Sequence, residues 1–156
     1  MNFDGLVTYT STRREVGGYS YAQVFRNGCI EVVDSDMLGY HEEKIIPGGA
    51  FEKYILESLG NYISGLNKHG IAPPLLLMLS LLNVKDYEMA VSATFSSHDR
   101  MHPIDRQNLI VPEVILEDFS NDPSDIMKPA FDVVWNACGW AGSRNYDTKT
   151  GKWVGG

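Results

Sequence analysis

The sequence predicts an α+β fold in which two main helices pack on one face of a largely antiparallel β-sheet. Short alternating segments fill the first part of the chain, and such segments are typical of antiparallel strands. Two later segments carry apolar residues at helical spacing, with strand-like runs between them. Apolar residues make up 44% of the 156 positions and charged residues 21%, which indicates one ordinary globular domain. We therefore expect a single α+β domain over residues 1–156.

Three strands are predicted near the N-terminus. Leu6–Thr10 alternates apolar and polar residues, Tyr19–Arg26 is aromatic and β-branched, and Cys29–Asp34 alternates again. Asn27-Gly28 separates the last two strands. Because both central residues of a type I′ turn need positive φ, this pair predicts a two-residue hairpin turn.

A first helix is predicted from Ala50 to His69, after a loop over residues 36–49. Gly70 stands where a glycine commonly ends a helix, and Pro73-Pro74 prevents continuation. The apolar residues recur with a period of 3.6 and so form one stripe along the helix. The stripe consists of Phe51, Ile55, Leu59, Tyr62, Ile63 and Leu66.

Further strands are predicted between the two helices. The run from Leu75 to Leu82 is apolar except for Ser80, which favours a strand buried on both faces. Tyr87–Phe95 and Leu109–Glu117 are also strand-like, and Pro112 places the latter at a sheet edge or a bulge.

A second helix is predicted from Asp122 to about Gly139. Asp122 is suited to capping the helix and Pro123 to its first position. Pro129 lies inside the helical pattern, so we expect a kink or a restart there. Residues 141–156 are rich in Gly, Asn and Asp and are expected to form an irregular C-terminal tail.

Charge and cysteine content restrict the function classes. A formal net charge of −7 argues against direct binding of nucleic acid, because phosphate backbones are bound by basic surfaces. The N-terminus shows no signal peptide, and the longest apolar run is too short to cross a membrane. Two cysteines far apart, Cys29 and Cys138, favour two buried reduced thiols and a cytoplasmic location.

One polar segment contains the residues of a possible metal site. His98 and His102 are four residues apart, with Asp99 and Asp105 beside them, and imidazole and carboxylate groups are common metal ligands. Pro103 indicates a loop rather than the helix that would place both rings on one face. The alternative is that a polar loop collects these residues by composition.

Two further groups are candidates for binding. Arg100 and Arg106, with Asp105, would suit an anion or form a local ion pair. Trp135, Asn136 and Trp140 would form an aromatic contact patch, and their alternative role is packing of a helix and tail on the sheet. The standard phosphate-binding glycine loops are absent from the sequence.

Seven blocks of the sequence carry a resemblance to a known family: Val24–Glu31, Pro74–Leu82, Pro103–Arg106, Leu109–Glu113, Pro129–Asp132, Trp135–Trp140 and Asn145–Asp147. Together they resemble the C-terminal region of bacterial Schlafen-like, AlbA-type proteins described as DNA-binding or ATP-binding. In such proteins the AlbA-type domain precedes a region like this one, and the binding descriptions attach to that domain. The resemblance therefore implies an accessory role, with no assigned function for any matching residue.

We therefore predict a non-catalytic accessory or interaction domain without a cofactor. Its expected partner is the N-terminal nucleic-acid-related domain of its own protein or another protein, and it is a candidate for homo-oligomerisation. A small-molecule sensor is one alternative. A metal-dependent hydrolase or nuclease, using His98, Asp99, His102 and Asp105, is the other.

Overall fold

The computed structural model describes residues 2–11, 19–38, 44–91 and 102–155. It confirms the α+β fold class: two helices occur together with parallel and antiparallel strand pairs. Where the sequence predicts one domain, the contacts between residues divide the chain into two compact units, 1–43 and 44–156. We call these unit 1 and unit 2.

Unit 1 is a three-stranded antiparallel sheet. Its strands are β1 (Gly5–Ser11), β2 (Tyr19–Phe25) and β3 (Ile30–Val33), arranged in the order β1-β2-β3. The register pairs Tyr9 with Tyr21, whose ring centroids lie 6.3 Å apart, and Tyr21 with Val33. The three strands predicted for this region are therefore confirmed.

The turn between β2 and β3 differs from the prediction. A type I′ turn needs positive φ at both residues, but in this turn only Gly28 has it, at 90°, and Asn27 does not. The Gly28 N–H donates to the Phe25 carbonyl, and the Phe25 N–H donates to the Cys29 carbonyl. This is a three-residue loop that ends in a left-handed glycine, and it leaves Cys29 exposed rather than buried.

Unit 2 begins with a strand where the sequence predicts a loop. Strand β4 (Ile45–Pro47) runs directly into helix α1 (Gly48–Lys68). After α1, the predicted run splits into two three-residue strands, β5 (Leu75–Leu77) and β6 (Ser80–Leu82). Strand β7 (Glu88–Ala90) pairs with β4 in parallel, and residues 92–95 of the strand predicted there lie outside the described residues.

Strands β8 (Asn108–Ile110) and β9 (Val114–Leu116) pair antiparallel with β6 and β5, respectively. Leu77 pairs with Val114, and Ser80 pairs with Ile110. Two residues separate Leu77 from Ser80, whereas three separate Ile110 from Val114, so the strand that contains β8 and β9 has one extra residue there. The Val111 N–H donates to the Leu79 carbonyl within this gap. The four strands thus form one two-stranded ribbon with a bulge at Pro112 and Glu113, as predicted for a proline in a strand.

Helix α2 (Pro123–Ala137) begins as predicted. The Asp122 carboxylate accepts a 2.9 Å bond from the Ser124 N–H, and that bond lowers the pKa of Asp122. The predicted kink or restart at Pro129 does not interrupt the helix. Pro129 and Asp125 are both exposed, so water can bond the Asp125 carbonyl that a proline leaves without its helical donor.

Both helices end in the same backbone motif. In α1, Gly70 at φ 74° donates to the Asn67 carbonyl, and Ile71 donates to the Leu66 carbonyl. In α2, Gly139 at φ 84° donates to the Asn136 carbonyl, and Trp140 donates to the Trp135 carbonyl. This pair of bonds is the Schellman motif, so both glycines end the helices as the sequence predicts.

The core of unit 2 lies between the two helices and the inner face of the ribbon. Phe51 of α1 meets Phe131 of α2 edge to face at 6.2 Å. Gly48 is a glycine because an added Cβ would lie 2.7 Å from the Trp135 ring. The fully buried side chains are Ile46, Glu52, Val84, Met89, Ile104, Leu116, Phe131, Val134, Trp135 and Cys138.

Candidate functional site

The predicted metal site is only partly within the described residues. His98, Asp99 and Arg100 lie outside them, so their part in a metal or anion site stays a prediction. His102 is exposed, and its ring lies over Gly139, where an added Cβ would be 2.6 Å from the imidazole. Across the described part of the chain, no three His, Cys, Asp or Glu side chains converge on a common point.

Asp105 and Arg106 pair with each other. The Arg106 Nε donates to the Asp105 carboxylate at 2.8 Å, and both side chains are largely exposed. The hydrogen bond and the positive charge of Arg106 lower the pKa of Asp105. An exposed ion pair between neighbouring residues contributes little to stability. The two opposite charges cancel each other in the segment just before β8.

Trp135, Asn136 and Trp140 come together at the end of α2. Trp135 is fully buried, and the two indole rings meet edge to face at 6.0 Å. The Asn136 side chain donates to the Trp140 carbonyl at 2.7 Å, and the Arg144 guanidinium lies 5.1 Å from the Trp140 ring. Trp135 lies in the last turn of α2 and Trp140 just past the helix end. An apolar contact between these two positions commonly accompanies the Schellman motif, so the described contacts of Trp135 and Trp140 stabilise the helix end.

A buried carboxylate that the sequence analysis missed organises this region. Glu52 is fully buried on α1. Its Oε1 accepts from the Trp135 indole N–H at 2.8 Å and from the Ser143 hydroxyl at 2.5 Å. Its Oε2 accepts from the Trp153 indole N–H at 2.9 Å. The three donors satisfy the oxygens of a buried carboxyl group and join α1, α2 and the C-terminal tail.

Residues 141–155 have no helix or strand, as predicted for the tail, but these contacts make the tail part of the core. Tyr146 is buried and donates its hydroxyl to the Ser124 carbonyl at 2.6 Å. Burial, and then the negative charge of Glu52, raises the pKa of Tyr146. Tyr146 also pairs with Trp153 across a short antiparallel bridge. A signal was available in the sequence, since Tyr146 and Trp153 are large aromatic residues in an otherwise polar segment.

Cys138 has the environment of a structural thiol. It is fully buried, and burial, assisted by the negative charge of Glu88, raises the pKa of the Cys138 thiol to about 11. Because the thiolate is the nucleophile, this thiol is unreactive at neutral pH. The described polar groups of the core therefore serve packing and hydrogen bonding.

The ribbon presents a different kind of surface on its outer face. The sequence predicts burial of both faces of residues 75–82, and the structure contradicts this prediction. Side chains alternate across a strand, and the outer set is exposed while the inner set packs against the core. The outer face consists of Leu76, Met78, Ser80, Leu82, Asn108, Ile110 and Ile115.

The outer face is mostly apolar and continuous. Its five apolar side chains are between 57% and 78% exposed. Leu76 is paired directly with Ile115, and Ser80 with Ile110; directly paired side chains on one face lie within contact distance. Scattered exposed apolar residues are normal, whereas exposed apolar residues grouped on one face are typical of a binding surface. The outer face is therefore the candidate functional site.

The charges on the ribbon are all of one sign. Residues 71–84 include no charged residue, and the returning chain from 107 to 118 has three acidic residues and no basic one. Glu113 lies at the bulge, and Glu117 and Asp118 follow β9. All three are exposed, so acidic groups border the outer face at its middle and at its β9 end.

Comparisons of the chain with protein-family models, with curated proteins and with solved structures find no match. Neither α1 nor α2, the helices in the described ranges, has the combination of length and apolar character that is needed to span a bilayer.

Proposed function

We propose that this chain is a non-catalytic accessory or interaction domain that binds a protein partner through the outer face of the ribbon. The observation that carries the proposal is the exposure of five apolar side chains on one face of an otherwise packed unit. Exposing them costs free energy in an isolated domain, and a partner that covers them would recover it. The buried polar groups support the same proposal, since the described contacts of Glu52, Tyr146 and Cys138 serve the fold.

The resemblance to the C-terminal region of Schlafen-like, AlbA-type proteins supports an accessory role. In that arrangement the partner is the nucleic-acid-related domain of the same protein, and the site of action is the cytoplasm of a bacterium. The net charge of −7 is in keeping with a domain that leaves nucleic-acid contact to its partner.

Site-specific photo-crosslinking tests this function. A photoreactive amino acid at Met78, in the middle of the outer face, is expected to form an adduct in cells that express the chain at its natural level. Mass spectrometry of the crosslinked peptides identifies the partner segment. The adduct should disappear when Leu76→Ser and Ile110→Ser are combined, because these changes remove apolar contact without altering net charge.

Val154 provides the matched control position. Val154 and Ile110 are each 66% exposed and both belong to unit 2, but Val154 lies in the tail. The photoreactive group at Val154 should give no such adduct. The proposal fails if Met78 forms no adduct, or if positions 78 and 154 give the same pattern.

A further inference from the structure

The outer face has a definite size and a definite charge at its border. Eight residues from Leu75 to Leu82 extend roughly 25 Å along the ribbon. Two strands lie about 4.8 Å apart, so with their side chains the face is about as wide as one α-helix, whose diameter is about 10–12 Å. A single amphipathic helix of about 18 residues, lying along the ribbon, would cover it.

The charge distribution along this length is unequal. The middle and the β9 end have Glu113, Glu117 and Asp118 with no basic neighbour in that part of the ribbon sequence. At the opposite end, Lys85 and Arg106 are matched by two acidic residues, Asp86 and Asp105. Ion pairs occur at that end, since Arg106 pairs with Asp105 at 2.8 Å. Among the described residues, none of the ion pairs includes Glu113, Glu117 or Asp118, so a partner that follows the ribbon meets an excess of negative charge toward the β9 end.

The geometry points to a partner of specific chemistry: an amphipathic helix with an apolar stripe and a cluster of Lys or Arg at the end that lies over β9. This inference rests on the proposed function and adds the class and the orientation of the partner. Basic groups there would face three exposed carboxylates, and complementary charge favours both association rate and register.

A second copy of this chain fits the same surface less well. Two copies related by a two-fold axis that runs across the ribbon would bring their bulges together, and an axis along the ribbon would bring their two acidic β9 ends to the same end of the contact. Glu113 lies at that bulge, so two carboxylates would meet in a desolvated contact and oppose association. The charge border thus favours a basic partner over self-association.

Two synthetic peptides test the inference with the full chain. Both have about 18 residues and the same apolar helical stripe, but one has four Lys at its end and the other four Glu. Fluorescence anisotropy is expected to show that the Lys peptide binds at least about tenfold more tightly at low salt. The difference should shrink at high salt, because exposed charges are screened.

Variants of the chain separate the two contributions. Ile110→Ser combined with Leu76→Ser should abolish binding of the Lys peptide, while Val154→Ser should leave it unchanged. Glu113→Lys combined with Glu117→Lys should reverse the preference in favour of the Glu peptide. Glu57→Lys, at an exposed position of α1, is the control for the change in net charge.

The other outcomes overturn the inference in distinguishable ways. Equal binding of both peptides, lost in the Ser variants, would refute the basic partner and leave the apolar docking face intact. Failure of both peptides to bind would refute the basic helix, and the crosslink at Met78 would still decide whether the face binds a protein. A concentration-dependent dimer in sedimentation analysis, lost on Ile110→Ser, would assign the face to a second copy instead.

Discussion

Unit 1 and unit 2 use β-structure in opposite ways. Unit 1 has strands of seven, seven and four residues in continuous register, yet the core of buried apolar side chains includes none of its described residues. In unit 2 each of the six strands has three residues, and the inner face of the ribbon is buried or half-buried. Strand length therefore reflects local pairing, whereas burial depends on the helices packed against the sheet.

The physical reason lies in what each unit can bury. In unit 2 helix α2 packs against strand β9 of the ribbon and against α1. Phe51 and Phe131 meet between the two helices, where Trp135 is also buried. Unit 1 has no helix of its own among its described residues. Its sheet is held by backbone hydrogen bonds and by cross-strand contacts such as Tyr9–Tyr21, and a sheet of this size without a covered face has marginal stability.

The largest expected effect of a substitution is in the core of unit 2. Phe131→Ala should lower the free energy of unfolding by about 3–5 kcal/mol, because it removes a fully buried ring and leaves a cavity. Val24→Ala in unit 1, where the side chain is exposed, should change it by about 0.5 kcal/mol or less. Urea unfolding followed by circular dichroism measures both, and tryptophan emission reports unit 2, which holds all three tryptophans. A cost for Val24→Ala as large as that of Phe131→Ala would show that the unit 1 sheet is covered in solution.

A buried carboxylate in unit 2 and an exposed one in unit 1 give the second comparison. Glu52→Gln should destabilise unit 2 by about 2–3 kcal/mol, because the amide replaces an acceptor with a donor that faces another donor. Glu31→Gln should have an effect within about 0.5 kcal/mol, although Glu31 accepts a hydrogen bond from the Tyr21 hydroxyl. Glu57→Gln, on the exposed side of α1, controls for the change of charge on the same helix. Equal midpoints for Glu52→Gln and Glu57→Gln in thermal unfolding would refute the structural role of Glu52.

Two glycines with left-handed backbone conformation show how the surroundings change the cost of adding a side chain. Gly28 in unit 1 and Gly139 in unit 2 have φ values of 90° and 84°. Gly28→Ala should cost about 1 kcal/mol, from backbone strain alone, since nothing lies near an added Cβ. Gly139→Ala should cost about 1–3 kcal/mol more, because the new Cβ would contact the His102 ring. Chemical denaturation measures the difference, and the combination of Gly139→Ala with His102→Ala should remove only part of the excess, because the His102 Cβ itself lies 3.0 Å from the added Cβ.

The smallest and most gradual expected effect is the loss of unfolding free energy in unit 2 at alkaline pH. The pKa of Cys138 is raised to about 11 by burial, and the pKa of Tyr146 is also raised. A group with a raised pKa in the folded state contributes stability that is fully present below its unfolded pKa and is lost as pH rises through the folded value. Unit 2 should therefore lose stability from about pH 9 upward, and the loss should be smaller in Tyr146→Phe. An identical slope of unfolding free energy against pH in this variant and the unaltered chain would contradict the assignment to Tyr146.

Features set by near neighbours in sequence could be predicted well. The spacing of apolar residues located α1 and α2 to within about two positions. The Asp122 cap and the glycines at 70 and 139 act through bonds to residues at most five positions away. The N-terminal strands belong to the same class, because a hairpin is closed by its own turn.

Most of the predicted features that failed depend on contacts between distant parts of the chain. The type I′ turn expected at Asn27-Gly28 and the kink or restart expected at Pro129 are local exceptions. The run from Leu75 to Leu82 is apolar on both of its faces, so its pattern does not distinguish the inner from the outer set. Strand β4 has only three residues and requires β7, more than forty positions away, as its parallel partner. Glu52 lies in α1, and its donors are contributed by residues 83 to 101 positions further on.

By itself the sequence determined the α+β class, the two helices with their ends, and the N-terminal hairpin, because these result from periodicity and short-range hydrogen bonds. The tertiary structure decided that Trp135 is a buried donor to Glu52, that the tail belongs to the core, and that one side of the ribbon is exposed. The physical reason is that α2 packs against β9 on one side of the ribbon, while the side chains on the other side stay exposed. Only the packed chain therefore distinguishes an apolar residue that stabilises the core, such as Leu81, from one that is available to a partner, such as Leu82.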